Sequence, residues 1–68
     1  MKREKLIAFR GDNTQQDMSS RYGVSQQAWS HWEKGISKPN VVLMRKIEKD
    51  SGIPMEELFP DVFKEAAT

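Results

Sequence analysis

A glycine follows each of the four stretches of the chain in which apolar residues recur at helical spacing. These glycines are Gly11, Gly23, Gly35 and Gly52. Because glycine lacks a Cβ atom, it readily adopts the left-handed backbone conformation that turns a chain out of a helix. No stretch alternates apolar and polar residues as a half-buried strand does. The sequence therefore predicts an all-α fold, a compact bundle of about five short helices.

Residues that favour helix N-termini precede three of these stretches. Thr14 with Asp17 three positions later forms a capping-box pattern, and Ser25 and Asn40 are N-cap residue types. The expected helices span residues 2–10, 15–22, 26–34, 41–51 and 55–59. The tail that begins at Pro60 either adds a helical turn or two within residues 61–67 or frays.

Length and composition exclude several classes of function. The chain has 68 residues, which predicts one domain over residues 1–68 with its core in residues 2–59. It has no cysteine and a single histidine, His31, so we expect no disulfide, no metal site and no cofactor. No apolar run approaches the roughly 20 residues that cross a bilayer. We expect a cytoplasmic protein with no membrane partner.

The net charge of +1 conceals an uneven distribution along the chain. Residues 1–46 hold nine basic and four acidic residues, a balance of +5, whereas residues 47–68 hold two basic and six acidic residues, a balance of −4. A surface that faces a polyanion is therefore expected in the first two thirds of the chain, including its basic first helix.

The second and third helices are expected to pack against each other through apolar faces. Met18 and Tyr22 share one face of the second helix, and Trp29 and Trp32 share one face of the third. Ser19 is small where the two helices approach each other. The core-facing residues expected from the fourth helix are Val41, Met44 and Ile47.

The opposite face of the third helix is polar and contains no acid. It consists of Gln26, Gln27, Ser30, His31 and Lys34. A side-chain amide binds adenine N6 and N7 bidentately, serine and histidine reach base edges, and lysine binds phosphate. An exposed helix is commonly polar without any such role, and His31 in particular is either a DNA contact or a surface residue without function.

Residues 6–59 resemble the phage repressor and Cro family, also called the XRE family, with a helix-turn-helix from Gln15 to Trp32. The residues that carry the resemblance are Thr14, Gln15, Met18, Ser19, Gly23, Val24, Ser25, Trp29, Trp32, Glu33, Lys34, Gly35, Pro39, Gly52, Ile53, Glu57, Leu58 and Phe59. The resemblance implies a lambda-repressor-like fold and a DNA-binding regulator from a bacterial, phage or mobile-element context.

The resemblance also implies roles for individual residues. Base readout is implied for Gln26 and Gln27, with Ser30 and His31 on the next turn. Gln15 matches a position that contacts phosphate and braces the start of the recognition helix. The other residues implied in phosphate contacts are Ser25, Lys34, Lys38 and Asn40. Arg10 and Glu33 match an ion pair that joins the first helix to the end of the third.

The chain departs from the family pattern at three places. The linker 11–13 is shorter than the commonest one, so the first helix is expected to dock differently. Trp29 replaces a β-branched residue, and its extra volume must be absorbed nearby, with Ser19 as one candidate. Glu48 and Ser51 stand where alanine and leucine are common, so the fourth helix is expected to be rotated or to make thinner contacts.

Three functions follow from these observations, in decreasing order of support. The first is a regulator, expected to repress, that binds a near-palindromic operator in double-stranded DNA as a homodimer, with half-sites about one helical turn (~34 Å) apart. The second is a protein-interaction module that does not read DNA and uses exposed apolar residues. Those residues are Val42, Leu43, Val62 and Phe63. The last two also form the expected dimer patch. The third and least supported function is an enzyme. The acidic residues near the end of the chain are more simply explained as a solvent-exposed face than as an active site. They include Glu56, Glu57, Asp61 and Glu65.

Overall fold

Six helices and the turns between them make up residues 2–63, the part of the chain that the computed structural model describes. The helices are α1 (Glu4–Arg10), α2 (Gln15–Tyr22), α3 (Gln26–Lys34), α4 (Val41–Ser51), α5 (Met55–Leu58) and α6 (Pro60–Phe63). No strand occurs within residues 2–63. The predicted all-α fold is confirmed. The sixth helix forms in the tail, and its expected continuation to Ala67 lies outside the described residues.

Side-chain caps begin α2, α3 and α4 at the expected residues. The Thr14 hydroxyl accepts a hydrogen bond from the Asp17 N–H, and the Asp17 carboxylate accepts one from the Thr14 N–H, both at 3.0 Å. Ser25 Oγ and Asn40 Oδ1 accept in the same way at α3 and α4. Each cap satisfies a backbone donor that the helix itself leaves open. By contrast, α1 begins at Glu4 rather than at residue 2, with Arg3 at its N-cap position.

The turn from α2 to α3 depends on glycine. Gly23 has φ 68° and ψ 33°, in the left-handed region, and its N–H donates to the carbonyls of Ser19 and Ser20 at the end of α2. Val24 follows and packs partly buried against the core. Since other L-residues adopt this conformation at a cost, glycine allows α3 to leave α2 within three residues.

A different glycine conformation closes the short linker between α1 and α2. Gly11 has φ 57° and ψ −127°, outside the left-handed helical region, which reverses the chain directly after α1. Two hydrogen bonds stabilise this turn. Arg10 Nη1 donates to the Asn13 carbonyl, and Asn13 Nδ2 donates to the Arg10 carbonyl, each at 3.1 Å. The shorter linker is thus accommodated within the turn itself.

Within residues 2–63, nine buried apolar residues form one core between the helices. They are Leu6, Met18, Tyr22, Trp29, Trp32, Met44, Ile47, Leu58 and Phe59. The Trp29 ring stacks on Tyr22 with centroids 5.7 Å apart and tilts against Trp32 at 5.5 Å. Ser19 is buried as well. The extra volume of Trp29 therefore goes into an aromatic stack that joins α2 to α3.

The expectation that Val41 faces the core is wrong. Met44 and Ile47 are buried, but Val41 is 65% exposed. It shares their helical face, yet it occupies the first turn of α4, directly after the Asn40 cap.

Glu48 and Ser51 tie the end of α4 to the start of α5. Glu48 Oε2 accepts a hydrogen bond from the Met55 N–H at 3.1 Å, and Ser51 Oγ accepts one from the Ile53 N–H at 3.1 Å. Pro54, at the N-cap position of α5, offers no side-chain cap. Glu48 and Ser51 thus accept hydrogen bonds from backbone N–H groups that alanine and leucine would leave without a side-chain partner.

Candidate nucleic-acid interface

The polar face of α3 lines a shallow groove at the surface. The groove is bounded by Gln15, Gln26, Gln27, Ser30, His31 and Lys34. Gln26, Gln27 and Lys34 are exposed, while Ser30 and His31 are half-buried. All four residues expected to read bases and two of those expected to hold phosphate therefore lie together. Ser25, Lys38 and Asn40 lie outside the groove, Ser25 before the start of α3 and the other two beyond its end.

Within residues 2–63, no acidic side chain lines this groove. Glu33, the acid closest to it in sequence, is turned inward, and its side chain is only 4% exposed. Its charge is neutralised by Arg10, as described below. The groove therefore offers hydrogen-bonding groups and positive charge, the combination that suits a nucleic acid.

The Glu33 carboxylate joins α1, α2 and α3. It accepts hydrogen bonds from Arg10 Nε (2.6 Å) and Nη2 (3.3 Å), from Gln15 Nε2 (2.9 Å) and from Trp29 Nε1 (2.6 Å). Burial by itself raises the pKa of this carboxyl, but the bonds from Arg10, Gln15 and Trp29 outweigh burial and hold the pKa below its usual value of 4.5. Glu33 is thus a charged anchor at neutral pH. The pairing with Arg10 that the sequence predicts is present.

Gln15 braces α3 in a different place from the one expected. Its amide donates to Glu33, in the last turn of α3, rather than supporting the first turn. A carboxamide has two N–H donors and one acceptor oxygen, so this bond uses one donor and fixes the direction of the group. Gln15 is therefore oriented at the edge of the groove by the same carboxylate that Arg10 binds.

Ser25 and Asn40 combine a capping role with exposure to solvent. The oxygen of each side chain accepts a backbone N–H, from Ala28 and Leu43 respectively. A serine hydroxyl still has its hydrogen to donate, and an asparagine amide still has its two N–H groups. Both residues are exposed. Each can donate to a phosphate oxygen without losing its cap.

The first helix predicted from the sequence, residues 2–10, includes Arg3, and the expectation that this helix faces a polyanion is wrong for Arg3. Its side chain is 2% exposed and pairs with Asp61. Arg10 is also paired internally, and Lys5 lies 3.9 Å from Glu57 across exposed side chains. The first helix therefore offers less positive charge to DNA than its sequence suggests. The missed signal is the spacing of Arg3 and Arg10, which share a helical face with the buried Leu6.

The apolar surface also differs from the expected one. Leu43 and Val62 are partly buried against the core, whereas Val42 is 76% and Phe63 38% exposed. Val62 is covered because Asp61 is tied to Arg3, which holds α6 on the bundle. Ile36, at 65% exposure, is a further exposed apolar residue that the sequence reasoning did not identify.

Within residues 2–63, no three histidine, cysteine or acidic side chains come together as a group that could hold a metal ion. None of the helices in this segment has the length and apolar character needed to cross a membrane.

The helices α2 and α3 are short, are joined by a tight glycine turn and pack through their aromatic faces, and α3 exposes a polar face. This arrangement defines the class of helix-turn-helix proteins. A family model described as helix-turn-helix, of the XRE and Cro-like type, matches residues 4–58, and the chain belongs to this family. The family is one of DNA-binding transcription regulators. No curated protein and no solved structure matched the chain significantly.

Proposed function

We propose that this protein is a sequence-specific, cytoplasmic transcription regulator that represses by binding an operator in double-stranded DNA. The observation that carries the proposal is the acid-free groove in which Gln15, Ser30, Lys34 and the two adjacent glutamines of α3 meet. Membership of the helix-turn-helix family supports the same function. The second helix of this motif enters the major groove with its N-terminal residues toward the bases.

Gln26 and Gln27 are the residues we assign to base readout. Both lie on the first turn of α3 and are exposed, so their amides reach beyond the helix surface. A glutamine amide pairs bidentately with adenine N6 and N7, which predicts adenine in each half-site. Ser30 and His31, one turn further on, contact the neighbouring base edges or the sugar-phosphate backbone.

Phosphate contacts flank the reading helix at both ends. Ser25 precedes α3, Lys34 is its last residue, and Lys38 and Asn40 follow in the loop 35–40. Gln15 adds a donor from the start of α2. Such contacts set the position and angle of α3 without reading sequence. We therefore assign most of the salt-dependent affinity to these five residues.

The experiment that tests this function is selection of binding sites from a random pool of duplexes, followed by titration of the selected duplex. We expect one consensus containing adenine, and a steep fall in affinity as salt rises. Gln27→Ala should weaken binding by about 1–3 kcal/mol and relax the preference at one base pair. Gln16→Ala is the matched control, because Gln16 is exposed on α2 but does not line the groove.

Two outcomes would contradict the proposal. One is that no duplex is retained even at low salt. The other is that Gln27→Ala and Gln16→Ala bind the selected duplex as well as the parent protein does.

The second candidate function is a protein-interaction module on the same fold. One observation favours it: Ile36, Val41 and Val42, at the start of α4 and in the loop before it, are strongly exposed apolar residues. Such a module would tolerate Gln26→Ala and Gln27→Ala, and Val42→Asp would abolish binding of its partner. The duplex titration above separates the two candidates.

A further inference from the structure

Arg3 is a buried charged residue that connects four parts of the chain. Its Nη1 donates to the carbonyl oxygens of Trp32, at 2.8 Å, and Ser37, at 2.5 Å. Its Nε and Nη2 donate to the two carboxylate oxygens of Asp61, at 2.9 and 2.8 Å. The guanidinium also lies 5.2 Å from the centroid of the Phe59 ring. We call Arg3, Asp61 and the two bound carbonyls the Arg3 clamp.

The two carbonyls in the Arg3 clamp belong to the end of α3 and to the loop behind it. Trp32 is among the last four residues of α3, whose carbonyls lie beyond the regular hydrogen-bond ladder of the helix. The backbone N–H of Arg3 binds the next carbonyl, that of Glu33, at 2.8 Å. Ser37 directly precedes Lys38. Arg3 therefore fixes the loop 35–40 relative to the helix assigned to base readout.

Asp61 holds the guanidinium in the orientation that reaches both carbonyls. The two side chains form a fork-to-fork pair, a geometry that restricts an arginine far more than a single contact does. Arg3 is 2% exposed, so loss of its partner would leave a buried charge without compensation. The guanidinium would then move toward water and release the carbonyl of Ser37.

We propose that the Arg3 clamp is a positioning device for DNA binding, through which α6 controls the grip of Lys38 on phosphate. The proposal rests on the proposed function and deepens it. Arg3 and Asp61 both lie outside residues 4–58, the segment that the family model matches. The two side chains of the clamp therefore lie at the two flanks of the matched segment, and Arg3 and Asp61 act through the loop rather than by touching DNA.

A double-mutant cycle on the selected duplex tests this inference. Each phosphate contact contributes about 0.9 to the salt slope, the slope of the logarithm of the binding constant against the logarithm of the salt concentration. Relative to 1 M salt, one such contact strengthens binding roughly 5–10-fold at 0.1 M salt, so Lys38→Gln should weaken binding by the parent protein by that factor. In an Asp61→Asn background the same change should weaken binding less than about twofold, since Lys38 is no longer held in place. Asp61→Asn alone should lower the salt slope by about 1 although it makes the protein more positive.

Glu57→Gln is the matched control. It removes one negative charge from an acid that is also paired, with Lys5 at 3.9 Å, but on an exposed surface away from the loop. In this background Lys38→Gln should weaken binding as much as it does in the parent. All titrations are run well below the unfolding temperature of each variant. If Asp61→Asn does not fold, Arg3→Lys replaces it, because lysine keeps the charge but has only three donors and cannot reproduce the four hydrogen bonds of the guanidinium.

The outcomes separate the two proposals. Failure of the parent protein to bind any duplex would overturn the proposed function and this inference with it. Binding by the parent, together with an unchanged cost of Lys38→Gln in the Asp61→Asn or Arg3→Lys background, would overturn the Arg3 clamp alone. A reduced cost in those backgrounds but not in Glu57→Gln would support it.

Discussion

Glu33 is the single residue on which the arrangement of the first three helices depends most directly. Its carboxylate binds Arg10 from α1, Gln15 from α2 and Trp29 from its own helix. A buried carboxylate is costly to desolvate, and three donors of these types are what keeps it charged. The groove owes the orientation of Gln15 to a residue that is itself hidden from DNA.

The stability supplied by Glu33 should depend on pH. Because the folded pKa is lowered below 4.5, the contribution is fully present above that pH and is lost as pH falls below it. Glu33→Gln should destabilise the protein at pH 7 by about 2 kcal/mol, less than for a fully buried pair because Arg10 is 24% exposed. Urea unfolding of both proteins at pH 7 and pH 3.5 measures the difference.

The gap in unfolding free energy between the parent and Glu33→Gln should narrow at pH 3.5. Arg3 also lowers the pKa of Asp61, first through its hydrogen bonds, so acid destabilises both proteins there as well. Since Asp61 is present in both, its effect cancels in the comparison. A gap that stays constant between the two pH values would contradict the role given to Glu33.

At the level of elements, two glycine turns set the angles between α1, α2 and α3 by different means. Gly23 adopts the left-handed helical conformation that asparagine also tolerates. Gly11 combines positive φ with ψ −127°, a conformation that side chains other than glycine rarely adopt. The turn at Gly23 should therefore tolerate asparagine better than the turn at Gly11 does.

Substitution by asparagine should separate the two turns. Gly23→Asn is expected to cost less than about 1 kcal/mol of unfolding free energy, whereas Gly11→Asn should cost about 1–3 kcal/mol. Space is not the reason, because a Cβ atom at Gly11 would meet only the Ala8 carbonyl oxygen, at 3.7 Å. Thermal or urea unfolding of the two variants, made in the same background, provides the comparison. Equal losses would show that the Gly11 conformation does not require glycine.

At the scale of the whole molecule, internal pairing changes what the charge distribution means. The sequence places nine basic residues before Ile47, but Arg3 and Arg10 are paired with acids of the fold. Seven basic residues are left exposed, among them Lys34 at the end of α3 and Lys38 in the loop behind it. This is consistent with a protein whose binding energy comes from a few placed contacts rather than from a high net charge.

The homodimer expected from the sequence gives a prediction at this scale. Phe63 is the one residue of the expected Val62–Phe63 patch that is exposed, so Phe63→Asp should convert a dimer to a monomer and weaken binding to a two-half-site operator. Val42→Asp is the control, since Val42 is also an exposed apolar residue, on α4. Light scattering of the free proteins and the mass of the complex on the selected duplex measure the effect.

Two results would count against the patch at Phe63. A dimer that survives Phe63→Asp would remove α6 from the interface. Dissociation by Val42→Asp alone would place the interface on α4 instead.

Much of the architecture could be predicted from local sequence signals. Thr14, Ser25 and Asn40 determine where α2, α3 and α4 begin, because each cap involves only residues three positions apart. The periodicity of Met18 and Trp29 likewise identifies the buried faces of α2 and α3. The polar residues of the groove follow from the same periodicity, since the face opposite a buried one is exposed.

The sequence by itself thus determined the helices, their buried faces and the polar face of α3, because caps, turns and periodicity act over a few residues. Only the tertiary structure decided which charged side chains are paired within the fold. Arg3 meets Asp61 across 58 positions, and Gln15 meets Glu33 across 18. Such pairings depend on how the helices pack: the face shared with Leu6 directs Arg3 toward the core, but no local pattern shows that Asp61 and the carbonyls of Trp32 and Ser37 lie there.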